Sequence, residues 1–108
     1  MITIYHNPRC TKSRAALKRV QQYAEDHELA VNVIDYLNHP LNDRQLSAVQ
    51  KQLGAQVSEL GREHAGLTPK PQRDLLVAQP ELMQRPIISY GGRAVIARPT
   101  ELLDSLLV

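Results

Sequence analysis

Apolar residues at alternate positions open the chain: Ile2 and Ile4 share one face of Ile2–His6, the period of a β-strand. After Thr11 the period changes. Leu17, Val20 and Ala24 recur at helical spacing as far as about His27, with Lys18, Arg19 and Glu25 on the wet side. Residues 31–36 are rich in β-branched side chains and predict a second strand, so the first third is a βαβ unit with parallel strands. Asn42 is placed to cap a helix carrying Leu46, Val49 and Leu53, and Gly54 to end it. A short helical turn is expected over residues 57–63. Residues 64–73, with Gly66, Pro69 and Pro71, read as a loop, followed by a short helix over residues 74–78. Ile87–Tyr90 and residues 94–97 are strands joined by Gly91-Gly92, the signal of a tight hairpin. Thr100 is expected to cap a last helix that carries Leu102, Leu103, Leu106 and Leu107.

The order βαβ, helices, ββα predicts an α/β, thioredoxin-like (glutaredoxin-like) fold, a four-stranded mixed sheet flanked by helices. A chain of 108 residues fits one domain spanning 1–108. With no Trp and no Phe, its core must be built from Leu, Val, Ile and Ala, with four Tyr at the margins. A monomer is the default at this size.

Charge and composition exclude more than they suggest. The net charge of +2 arises from cations interleaved with carboxylates, and there are no aromatic platforms for bases, so nucleic acid is not expected as a partner. No apolar run approaches the roughly 18 residues of a membrane span. Asn7, Pro8 and Arg9 interrupt the place where a signal peptide would need its apolar region. With one cysteine there is no internal disulfide, which fits a reducing cytoplasm. No metal site is expected, because His6, His27, His39 and His64 lack ligand spacing.

That single cysteine, Cys10, carries the candidate chemistry. It falls where the first strand passes into the first helix, so orphan N–H groups and the positive end of the helix dipole favour its thiolate. Arg9 and Lys12 flank it, and His6 lies four residues before it, adding to the same field. In Cys10-Thr11-Lys12-Ser13, serine stands where a dithiol oxidoreductase has its resolving cysteine, so an outside thiol must complete any redox cycle. Ser13 either caps the helix or donates to the sulfur. A phosphatase loop is excluded, because it needs arginine six residues after the cysteine and position 16 is Ala. Arg85 and Arg98 each precede a proline and are held extended near strand ends. Arg62 can join them, and three guanidinium groups about a thiolate would hold a tetrahedral oxyanion by paired N–H donors. Pro86 is a cis proline facing the cysteine or a trans proline opening a strand.

His6-Asn7-Pro8-Arg9-Cys10, Ser13-Arg14, Arg85-Pro86-Ile87 and Arg98-Pro99-Thr100-Glu101 together resemble the glutaredoxin-dependent arsenate reductase (ArsC-like) family over nearly the whole chain. The resemblance implies a cysteine, Cys10, that attacks arsenate, and three arginines, Arg62, Arg85 and Arg98, that bind it. It implies that His6 favours the thiolate, with Asn7, Ser13, Arg14 and Pro86 as structural residues near the site. Glutathione is the implied co-substrate and glutaredoxin the implied partner, with no bound cofactor. The chain departs from the pattern at Thr11 and Lys12, where the family has glycine and threonine. It departs again at Glu63, where lysine is frequent, and in a clipped segment between Arg62 and Arg85. Two other functions stay open beside this one: a general glutathione-dependent thiol reductase, and an Spx-like regulator that binds RNA polymerase without catalysis.

Overall fold

The computed structural model describes residues 1–64 and 66–107. Strand β1, Ile2–His6, is followed by α1, Thr11–Asp26, and β2, Val31–Asp35, and β1 and β2 pair in parallel from Ile2↔Val31 to His6↔Asp35. Next come α2, Asp43–Leu53, a 3₁₀ segment over Gly54–Glu59, and α3, Pro69–Ala78. The hairpin β3, Ile87–Tyr90, and β4, Arg93–Ile96, then leads to a second longer 3₁₀ segment, Thr100–Ser105. In the sheet the order is β2-β1-β3-β4, with β3 antiparallel to both of its neighbours. This is the four-stranded mixed sheet flanked by helices of a thioredoxin-like fold. Both hairpin glycines take positive φ, 61° at Gly91 and 79° at Gly92, which a two-residue I′ connection demands and which glycine adopts without a Cβ penalty.

Alternation along the strands divides the core into two layers. Ile2, Ile4, Ile88 and Val95 face Ala16, Val20 and Ala24 of α1 together with Leu103, Leu106 and Leu107. Ile87, Ala94 and Ile96 point to the other side, onto Leu46, Val49 and Leu53 of α2, Leu76 of α3, and Leu60, Met83 and Tyr36. The edge of β4 is closed by a side chain: Gln56 Nε2 donates to the Ile96 carbonyl at 3.2 Å, and Ile96 N–H donates to Gln56 Oε1 at 3.0 Å. One primary amide thus imitates a strand and blunts an otherwise open edge.

The capping residues divide into one success and two corrections. Asn42 caps α2 through a capping box, accepting from Gln45 N–H at 2.8 Å while Asn42 N–H donates to Gln45 Oε1 at 2.9 Å, and Gly54 ends the helix at φ 59°. Helix α3 starts at Pro69, within the segment expected to be a loop. Pro69 and Pro71 occupy its first turn, where N–H groups have no intrahelical partner, so prolines cost the helix nothing there. Thr100 is not a cap: the cap position belongs to Pro99, without a side-chain hydrogen bond, and the terminal segment is 3₁₀ with Leu102 partly exposed.

Candidate active site

The end of β1 and the start of α1 form a rigid loop around Cys10. Cys10 N–H donates to the Asn7 carbonyl at 3.0 Å, and Arg9 N–H donates to Asn7 Oδ1 at 3.0 Å. Arg14 reaches back over the loop, donating from Nη1 to the Pro8 carbonyl at 2.9 Å and from Nη2 to Thr11 Oγ1 at 3.3 Å. Cys10 itself is the N-cap residue of α1 and is partly accessible. Burial pushes its thiol up, yet the backbone N–H groups of Ser13 and Lys12, then the hydrogen bond and charge of Arg85, prevail and hold the thiol below its ordinary range. The thiol makes no capping hydrogen bond of its own, but its place at the N-cap sets it by the orphan N–H groups of the first turn, which favour a thiolate.

Two expectations about this loop need correction. Ser13 neither caps α1 nor donates to the sulfur through its hydroxyl. The side chain is fully buried, accepts from Asn7 N–H at 2.9 Å and lies 2.7 Å from His6 Nδ1. With its oxygen accepting from Asn7, the hydroxyl proton is free for His6. His6 also does not act as a cation. Burial lowers its pKa, with Arg14 in the same direction and with Asp35 and Ser13 opposing, so it is neutral at neutral pH. Its connection to Cys10 runs through Ser13, and the cationic contribution comes from Arg85 across the site, while the Arg9 and Lys12 side chains are exposed to solvent.

The arginines arrive from three separate segments. The Arg85-Pro86 and Arg98-Pro99 peptide bonds are both cis. Ala97 N–H donates to the Pro86 carbonyl at 3.0 Å, and Arg98 Nη1 to the Arg85 carbonyl at 3.1 Å, so the two Arg-Pro pairs lie against each other. Arg62 is brought in by an isolated antiparallel bridge, Gly61↔Met83, flanked by Arg62 N–H to the Leu82 carbonyl at 2.6 Å and Gln84 N–H to the Leu60 carbonyl at 2.7 Å. The chain around Arg62 is thereby laced to the segment that ends in Arg85. Arg85 Nε is buried and has no hydrogen-bond partner among the described residues. A buried donor on a cation, left open beside a thiolate, is a place for an anion.

Tyr36 belongs to the same cluster, although nothing in the sequence singles it out. It is 1% exposed; burial raises its phenol pKa, with the charges of Arg85 and Arg62 and the Asn7 side chain opposing and Cys10 adding to the rise. The only signal available was its place directly after β2, where the fold lays it beside Asn7. Among the described residues no three His, Cys, Asp or Glu side chains come together as a metal site, and no helix is long and apolar enough to cross a membrane.

A thiolate at a helix N-terminus, a cis proline after an arginine with an open donor, and two further arginines can be compared with known proteins. The family model described as the ArsC family matches residues 5–106. The chain belongs to the ArsC family. An arsenate reductase of Neisseria meningitidis serogroup A is 31% identical, the match covering 98% of this chain and 97% of that one. The uncharacterized protein YfgD of Escherichia coli is 32% identical over 93% of this chain and 91% of its own. The structure of an arsenate reductase from Vibrio cholerae superposes with a TM-score of 0.81 at 29% identity, covering 98% of this chain and 97% of that one. This ArsC chain thus shares its architecture with arsenate reductases almost from end to end.

Proposed function

We propose that the protein reduces arsenate with glutathione and glutaredoxin as the source of electrons. The observation that carries this reading is the buried, unpartnered Nε of Arg85 next to a Cys10 thiol held below its ordinary range. An oxyanion satisfies the open donor and brings an electrophilic centre to the sulfur. The names of the relatives supply the element, since arginines and a thiolate alone would accept other tetrahedral anions.

In the reaction the Cys10 thiolate attacks arsenic(V) and a hydroxide leaves as water after taking a proton. Arg85, Arg62 and Arg98 offset the negative charge on the arsenate oxygens. The thiol of glutathione then attacks the Cys10 sulfur. The sulfur–arsenic bond breaks with its electron pair passing to arsenic, which departs as arsenite, and a Cys10–glutathione disulfide remains. Ser13 supplies no second thiol, so glutaredoxin attacks the glutathione sulfur and frees Cys10. A hollow of about 290 Å³ lined by Asn7, Pro8, Arg9, Asp35, Leu37 and Asn38 opens beside the Cys10 loop and offers room for a peptide thiol to approach.

The test is arsenate-dependent oxidation of NADPH coupled through glutathione reductase and glutaredoxin. Turnover is expected only with arsenate, glutathione and glutaredoxin all present. Turnover that persists without glutaredoxin would contradict its role, and reduction of a mixed-disulfide substrate in the absence of any arsenate activity would replace arsenate by a general thiol reductase function.

A further inference from the structure

Parallel pairing of β1 with β2 ends at His6↔Asp35, so the residues that follow, Asn7 and Tyr36, emerge side by side at the end of the sheet that carries Cys10. Asn7 is already committed at one end, because its Oδ1 accepts from Arg9 N–H at 3.0 Å. Its amide N–H groups are left on the side of Tyr36, where they favour the ionised phenol. A phenol oxygen can accept a hydrogen bond and still keep its own proton to donate. The ring is packed in the core layer with Leu41, Leu46 and Leu60. Tyr36 packs in the same cluster as Leu60 and Met83, beside the Gly61↔Met83 bridge that lies between Arg62 and Arg85, and the charges of Arg85, Arg62 and Cys10 act on its phenol.

We propose that Tyr36 is a neutral fourth donor of the oxyanion site, its hydroxyl hydrogen-bonding to an oxygen of the anion held between Cys10 and the guanidinium groups of Arg85 and Arg62. The proposal rests on the oxyanion reading of the site. Burial raises the phenol pKa, with Cys10 in the same direction and with Arg85, Asn7 and Arg62 opposing, so the hydroxyl keeps its proton at neutral pH. A neutral donor serves this site well. It holds an oxygen without adding charge that would draw the thiolate away from its attack. The arrangement also explains why a tyrosine sits in a layer otherwise made of Leu, Ile, Val, Ala and Met: its ring fills the core while its polar end reaches the site.

The probe is inorganic arsenate, and the readout is protection of Cys10 from iodoacetamide in the full chain without reductants. Tyr36→Phe keeps the ring and its packing and removes only the hydroxyl. It is expected to weaken arsenate protection about ten- to a hundredfold, the range for losing a hydrogen bond to a charged group. The pH midpoint of alkylation without arsenate should stay in place, since Tyr36 is not among the groups that shift Cys10. A second measurement needs no variant. The chain has four tyrosines and no tryptophan, so arsenate added to the wild-type protein should give a tyrosine ultraviolet difference spectrum. Wild-type protection left unchanged by Tyr36→Phe, or arsenate binding with a silent tyrosine spectrum, overturns the proposal alone. Absence of protection in the wild-type protein overturns the oxyanion reading and the proposal with it.

Discussion

Replacing Cys10 by serine is expected to bring arsenate-dependent NADPH oxidation down to the rate measured without the protein. Serine is a favoured N-cap residue, so the fold should be kept or slightly stabilised. Its pKa lies so far above that of a thiol that the backbone donors and Arg85 cannot ionise it, and the attack on arsenic fails. No neighbour can substitute. Ser13 is fully buried and engaged by His6 and Asn7, and the chain has no second cysteine. Residual turnover above background in Cys10→Ser, measured in the coupled assay, would place the nucleophile elsewhere.

Arg85→Ala is expected to show the next largest effect, because one side chain serves two purposes. Among the described residues its hydrogen bond and charge lower the Cys10 thiol, and its buried Nε is the open donor that the proposed anion would take. Loss of such a donor costs about 10²–10³ in kcat/KM. The loss of thiolate at neutral pH adds to it, and the midpoint of Cys10 alkylation should move upward. Arg85→Lys should not restore activity, since an ammonium cannot present two parallel donors to an oxyanion. The fold should survive both changes: the Arg85 carbonyl that holds Arg98 is backbone and remains. Equal kcat/KM in wild type and Arg85→Ala would remove the anion site from this position.

What the sequence made legible was local. Alternation in Ile2–His6 and the helical period after Thr11 place Cys10 at a strand-to-helix junction, and the structure puts it at the N-cap of α1. The two Arg-Pro pairs were visible for the same reason, being contiguous and next to strands. Position decided less clearly where partners are distant. The segment that carries Arg62 is tied to the one that carries Arg85 only because Gly61 pairs with Met83, a contact that no periodicity announces. Tyr36 looked like the last residue of a strand, and its meaning depends on the register that sets it beside Asn7. The expectation that His6 adds to the field at Cys10 failed because burial, set by tertiary packing, lowers its pKa against the opposing pull of Asp35 and Ser13. Prolines at 69 and 71 misled for a different reason, since the same residue that breaks a helix interior suits its first turn.

Backbone N–H groups and Arg85 hold the Cys10 thiol below its ordinary range in the absence of any substrate. The rate of Cys10 alkylation by iodoacetamide, followed against pH in buffer free of oxyanions, tests this most directly. With the folded pKa depressed, the rate should stay on its plateau as pH falls through the ordinary thiol value of about 8.5 and drop only below it. A midpoint at or above that value would contradict the account.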